Sequence, residues 1–170
     1  MGVPKAATMP HDQAYRKAEK KIKEEWNKSK RFTKLNLGHM QLTEPPESIK
    51  DHTKLQSLSL SYNKLTALPE WLGDLSHLQS LNLSGNQLPT LPESLGNLLR
   101  LHLLDLSNNQ LKDLPISLSR IAGLARLYLE GNPLNPELAE AYKQGIDAVK
   151  AFLRAKAEAG QITLNEAKLI

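Results

Sequence analysis

Cysteine is absent from all 170 residues, so no disulfide can staple the ends of this chain and no thiolate can serve as nucleophile or metal ligand. That points away from disulfide-capped secreted proteins and towards a cytoplasmic one. Also missing is any apolar run near the roughly 20 residues needed to span a bilayer, and the N-terminus has no apolar signal core. Met1-Gly2-Val3-Pro4-Lys5-Ala6 offers a glycine for myristoylation but lacks serine or threonine at the sixth position. The histidines, His11, His39, His52, His77 and His102, stand without metal-ligand spacing. Nor does the chain contain Gly-x4-Gly-Lys-Ser/Thr, the loop whose amides and lysine cradle nucleotide phosphates. Neither enzymatic activity nor a metal or cofactor is therefore expected.

What is present is periodic. Asn63, Asn86, Asn109 and Asn132 fall 23 residues apart, each in the frame Leu-x-x-Leu-x-Leu-x-x-Asn-x-Leu. The leucine columns are Leu55/Leu78/Leu101/Leu124, Leu58/Leu81/Leu104/Leu127 and Leu60/Leu83/Leu106/Leu129. Full units cover 32–54, 55–77, 78–100 and 101–123, with a partial fifth ending at Leu134. After each asparagine comes Leu-x-x-Leu-Pro, at Leu65–Pro69, Leu88–Pro92 and Leu111–Pro115. This frame resembles the leucine-rich repeats.

Alternation in Leu-x-Leu turns Leu58 and Leu60 to one face of a short strand and Ser57, Ser59 and Ser61 to the other. At the turn that follows, buried backbone groups lose their ladder partners, and an amide side chain with both donor and acceptor satisfies them. The four asparagines are thus framework. Proline after the leucine blocks a sheet hydrogen bond, so the return path is expected to be irregular or 3₁₀. No unit can bury its leucines alone. The expected fold is an α/β repeat solenoid: a short curved stack with a parallel concave sheet, a 3₁₀ convex side and a capping helix at each end.

The net charge of +4 comes from the N-terminus, where residues 1–34 hold ten Lys/Arg against four Asp/Glu. There Tyr15, Ala18, Ile22 and Trp26 recur at helical spacing, which predicts an amphipathic cap over 11–31 behind a flexible tail at 1–10. A basic surface helix binding anionic lipid or nucleic acid is the alternative, weakened by the interspersed Glu19, Glu24 and Glu25. The first unit departs from the pattern, with Met40 at the asparagine position, Pro45 for leucine and His52 at an apolar site. At the other end Leu138, Tyr142, Ile146, Val149 and Leu153 predict one capping helix over 135–159, fading before Gly160.

Outward strand positions form three columns on the concave side. They read Lys34, Ser57, Ser80, Leu103, Arg126, then Asn36, Ser59, Asn82, Asp105, Tyr128, then Gly38, Ser61, Ser84, Ser107, Glu130, with His39 and Tyr62 at the turn edge. Aromatic and arginine side chains dominate protein interfaces, which selects Tyr62, Arg126 and Tyr128, with Leu103 as an exposed apolar neighbour. Trp71 stands apart on the convex side, where its counterparts are Ser48, Ser94 and Ser117. Glu70 and Glu93 share a repeat position and so reflect periodicity rather than an acid/base pair.

Gln161 to Ile170 reads as a linker followed by the start of a strand. With Asn132-Pro133-Leu134, Ala141-Tyr142-Lys143-Gln144-Gly145 and Leu153-Arg154, this end resembles the junction in Roco proteins between the leucine-rich repeats and the Ras-like Roc GTPase domain. The resemblance implies the recognition and regulatory part of an intracellular signalling GTPase, binding another protein, another small GTPase or its own GTPase portion. The Leu-Pro repeat type also resembles free-standing intracellular scaffolds that bind Ras-like GTPases or phosphatases.

Overall fold

The computed structural model describes residues 10–169. The tail expected over 1–10, apart from Pro10, and the Met1–Ala6 stretch lie outside the described residues, as does Ile170. Five strands, β1 (Lys34–Asn36), β2 (Ser57–Ser59), β3 (Ser80–Asn82), β4 (Leu103–Asp105) and β5 (Arg126–Tyr128), form one parallel sheet in chain order. Their register follows the 23-residue period, so Leu35, Leu58, Leu81, Leu104 and Leu127 stand side by side. All five are buried, and the leucine columns make one continuous core.

The convex side consists of 3₁₀ turns at Glu47–Asp51, Glu70–Asp74, Glu93–Asn97 and Ile116–Arg120. Each begins directly after a proline, Pro46, Pro69, Pro92 or Pro115, whose fixed φ leads the chain into the turn and whose missing N–H costs nothing there. The turns stack closely because Gly73 and Gly96 carry no side chain. A Cβ on Gly73 would lie 2.7 Å from the Ser94 carbonyl carbon, and one on Gly96 would lie 2.6 Å from the Ser117 carbonyl oxygen. In the first interval the equivalent pair is Lys50 and Trp71. There a cleft of about 320 Å³ opens, lined by Tyr15, Glu44, Pro45, Leu68, Pro69 and Trp71. Trp71 itself is half-buried against the leucine core.

The N-terminal helix α1 spans Pro10–Lys28, three residues short of the expected end at 31, and buries Ala14, Ala18 and Ile22. Trp26, expected on the buried face, is instead exposed. It meets the His52 ring at 5.5 Å, while Phe32 meets His52 at 4.8 Å. The buried face runs through positions 14, 18 and 22 because small alanines let the helix approach the first unit closely. The Tyr15 hydroxyl accepts the Glu47 amide at 2.9 Å and ties α1 to the first 3₁₀ turn.

Burial between these rings pushes the His52 imidazole below its ordinary value of 6.5, against weaker opposing pulls from Asp51 and Glu19. The neutral form is favoured in the folded chain, so the unfolded chain binds more protons around this pH and stability falls as pH drops through and below about 6.5. The thermal midpoint is expected to fall less between pH 7.5 and 5 in His52→Phe than in the wild type. Equal slopes in the two proteins would remove His52 from the pH response.

The C-terminal cap differs from the single helix expected over 135–159. Helix α2 spans Pro136–Gln144 and α3 spans Ile146–Lys168, broken at Gly145, whose φ of 112° is a conformation that side chains disfavour. Asn135 caps α2 by accepting the Leu138 amide at 2.9 Å, with Pro136 in the first turn. The linker and strand start expected over 160–170 are corrected as well: α3 runs through Gly160 to Lys168. An internal glycine costs a helix only about 1 kcal/mol, and its neighbours Lys156, Ala157, Glu158, Ala159 and Gln161 are good helix formers. Thr163 returns its hydroxyl proton to the Ala159 carbonyl at 3.1 Å, a helical spacing that a strand would not allow.

Candidate functional site

The asparagines do more than close their own turns. Asn86 Nδ2 donates to the Leu83 carbonyl within its unit at 2.9 Å and to the Leu60 carbonyl of the preceding unit at 3.0 Å, while its Oδ1 accepts the Leu65 amide at 3.1 Å. Asn63, Asn109 and Asn132 repeat the arrangement. The Leu60, Leu83 and Leu106 carbonyls each accept from two successive asparagines, so amides and carbonyls alternate in one hydrogen-bonded ladder through the stack. Met40 has no such task, because among the described residues α1, rather than a repeat unit, precedes its unit. Its own amide donates to Asn63 Oδ1 at 3.0 Å.

On the concave face the polar side chains mostly serve one another. Asn36 Oδ1 accepts the Gly38 amide at 2.9 Å; Asn82 Oδ1 accepts both the amide and the hydroxyl of Ser84, and Asp105 Oδ1 those of Ser107. Ser59 and Ser61 share a hydrogen bond between hydroxyls at 3.1 Å. These bonds form because residues i and i+2 lie on one face of a strand. The floor is therefore small and internally satisfied. Ser61 and Ser84, expected to face out, are buried, so the third column contributes little accessible surface in those units. Leu103, expected to be exposed, is half-buried. Both differences arise because each side chain on a parallel sheet is flanked by its counterparts on the neighbouring strands.

Lys34, Asn36, Arg126 and Tyr128 stand exposed on the two edge strands, where a neighbour is present on one side only. Tyr128 is 40% exposed. Glu130, beside it in the third column, is held by the Tyr142 hydroxyl at 2.7 Å, and the same hydroxyl accepts the Leu129 amide at 3.2 Å. Burial, helped by the Glu130 bond, raises the Tyr142 hydroxyl above its ordinary pKa. Helix α2 is thereby fastened to the last strand and leaves Tyr128 uncovered.

Tyr62 occupies a column that sequence reasoning did not recognise. His39, Tyr62, Gly85, Asn108 and Gly131 recur every 23 residues and all have φ between 51° and 73°. This is the left-handed turn that leaves each strand. The glycines and asparagine at 85, 108 and 131 were the available signal, since those residue types tolerate the conformation. His39 belongs to a residue type that also enters this region, whereas Tyr62 adopts it as a bulky aromatic, and the two rings stack at 4.7 Å with planes 10° apart. The Tyr62 ring also lies where a Cβ on Gly85 would be, 2.6 Å from that point, yet it remains 54% exposed.

Among the described residues no group of three or more His, Cys, Asp or Glu is placed to hold a metal ion. No helix among them is long and apolar enough to cross a membrane.

Residues 30–88 match a family model described as leucine rich repeat, and residues 100–121 match a second of the same description. The stack is a leucine-rich-repeat domain. Such domains are typically protein-binding modules and are generally non-catalytic. Among solved structures, the leucine-rich-repeat domain is similar to one chain of the BIR3–SERK2 complex from Arabidopsis thaliana, at 40% identity and TM-score 0.54, covering 62% of this chain and 61% of that one. It is similar to a leucine-rich-repeat protein of Leptospira interrogans at 29% identity and TM-score 0.54, covering 65% of this chain and 34% of that one. Internalin C2 of Listeria monocytogenes matches at 27% identity and TM-score 0.56, over 61% of this chain and 44% of that one. The chain thus spans about a third to three fifths of the length of these proteins. No curated protein matches it.

Proposed function

We propose that this chain recognises a protein partner through the concave face, with Arg126 and Tyr128 at one end and Tyr62 at the turn edge as the principal contacts. The observation that carries the reading is the contrast on that face. Asn36, Ser59, Asn82 and Asp105 are engaged by their own neighbours, whereas Tyr62, Arg126 and Tyr128 present exposed side chains of the types that dominate interface energetics. Lys34 and half-buried Leu103 complete the surface. The similar chain in the BIR3–SERK2 complex belongs to a protein assembly, which is consistent with this class of function.

A partner captured on the immobilised chain and then purified is expected to bind the Arg126→Ala/Tyr128→Ala variant about 10-fold or more weakly. The thermal midpoint should be unchanged, because both side chains are exposed. Undiminished binding would place the contact elsewhere.

The finer reading, a recognition part of a Roco-type GTPase acting in the cytoplasm, draws its support from the sequence around Asn132–Leu134 and 141–154 and from the absence of cysteine. Residues 161–168 are helical and lend it no strand start. Coding sequence that continues past Ile170 into Gly-x4-Gly-Lys-Ser/Thr would support it; a stop codon there favours a free-standing scaffold. Attachment through a basic N-terminal helix has less support, because α1 turns Ala14, Ala18 and Ile22 into the core as a cap.

A further inference from the structure

The edge where the strands begin has a charge distribution that the concave face does not use. The ladder extends there beyond the strands: Gln56 and Ser57 donate to the Thr33 carbonyl, Gln79 and Ser80 to that of Gln56, His102 and Leu103 to that of Gln79, and Ala125 and Arg126 to that of His102. Segments 30–34, 53–57, 76–80, 99–103 and 122–126 are therefore successive rungs of one rim. They contain Lys30, Arg31, Lys34, Lys54, Arg100 and Arg126 and no aspartate or glutamate. All six cations are exposed.

Among the described residues, the ion pairs join Lys20 to Glu24, Lys28 to Glu25, Lys50 to Glu47, Lys143 to Glu140 and Lys156 to Asp113, and none uses a rim cation. Lys30 has uncharged company, donating to Asn27 Oδ1 at 3.4 Å and lying 5.1 Å from the Trp26 ring. The carboxylates just upstream, Asp51 and Asp74, close the 3₁₀ turns. Where the strands end, Lys64 stands with Asp105 and Glu130 instead. Charge is thus separated across the sheet, positive at the strand starts.

The uncharged members of the rim indicate what kind of anion fits. Gln56, Gln79 and His102 are exposed and can exchange hydrogen bonds with a peptide backbone, while Leu99, 63% exposed, and half-buried Leu103 offer contact to aliphatic side chains. Single-stranded nucleic acid would call for a run of aromatic platforms, whereas Phe32, the one phenylalanine, tyrosine or tryptophan in these segments, is packed against the core, and the exposed rings at the rim are Trp26, beside Lys30, and His102. Five rungs about 4.8 Å apart span about 19 Å, the length of roughly six extended residues. We infer that the strand-start rim docks an extended acidic segment of a partner protein. The inference is independent of the concave-face reading at Lys54 and Arg100, which that reading does not use.

The test is fluorescence anisotropy with labelled octa-glutamate, octa-lysine and an eight-nucleotide oligothymidylate. At about 50 mM salt the chain is expected to bind octa-glutamate and not octa-lysine, with binding lost towards about 0.5 M. Lys54→Glu/Arg100→Glu should weaken octa-glutamate binding about 10-fold or more with an unchanged thermal midpoint, whereas Tyr62→Ala/Tyr128→Ala should leave it within about twofold. Equal binding by the charge-reversed variant overturns the proposal. So does tighter binding of oligothymidylate than of octa-glutamate, which would assign the rim to nucleic acid.

Discussion

Asn109→Leu is expected to lower the unfolding free energy by about 3 kcal/mol, measured by urea denaturation. Leucine has the same branched skeleton, is somewhat bulkier and supplies no polar atom. The Leu88 amide would lose its bond to Oδ1, and the Leu83 and Leu106 carbonyls would each lose one of the two asparagine donors they share. Only 2% of Asn109 is exposed, so water cannot replace those bonds without opening the stack. Asn132→Leu should cost less, because Asn132 is half-exposed and stands at the end of the ladder. A loss below about 1 kcal/mol at Asn109, or equal losses at both positions, would contradict the ladder.

The second large effect is steric. Gly96→Ala should destabilise the chain by about 1–3 kcal/mol, although alanine ordinarily suits a turn of this kind better than glycine. The new methyl would stand 2.6 Å from both the carbonyl and the hydroxyl oxygen of Ser117. Ser117 cannot easily move away, since its hydroxyl donates to the Glu93 carbonyl at 2.7 Å and its amide donates to the Glu93 carboxylate at 3.1 Å. Gly123→Ala is the control: its added Cβ would come no closer than 3.7 Å to any neighbour, and thermal unfolding should barely change. Equal midpoints for the two variants would show that the turns have room to separate.

The stack was legible because burial imposes a strict rule on leucines and prolines. Leu58, Leu81, Leu104 and Leu127 must enter one core, and Pro69, Pro92 and Pro115 must leave the sheet, whatever surrounds them. What the sequence did not disclose depends on distances between units. Ser61 and Ser84 alternate like exposed residues, yet they are buried by the close approach of neighbouring strands. The face of α1 was misjudged at Trp26, whose apolar bulk suited the core less well than the slim Ala14. At the far end, local propensity around Gly160 was misread as a stop, when a single glycine among good helix formers is a modest penalty. Of the candidate face, the columns were visible in the alignment of units. The left-handed column through His39 and Tyr62 was not, because histidine is only a weak signal of that conformation and tyrosine is none.

The direction in which the asparagines reach also governs the order in which the molecule can be made. Asn63 closes the unit that precedes it, and Asn86, Asn109 and Asn132 do the same, each taking an amide from 21 residues earlier. A chain leaving the ribosome N-terminus first cannot finish a unit until about one further unit of chain has emerged. Folding must therefore trail synthesis by one step. At the C-terminal end of the stack the same dependence passes to the cap: Asn135 donates to the Lys112 carbonyl, the Tyr142 hydroxyl takes the Leu129 amide, and Lys150 of α3 donates to the Ala122 carbonyl, so the fourth and fifth units wait on both helices.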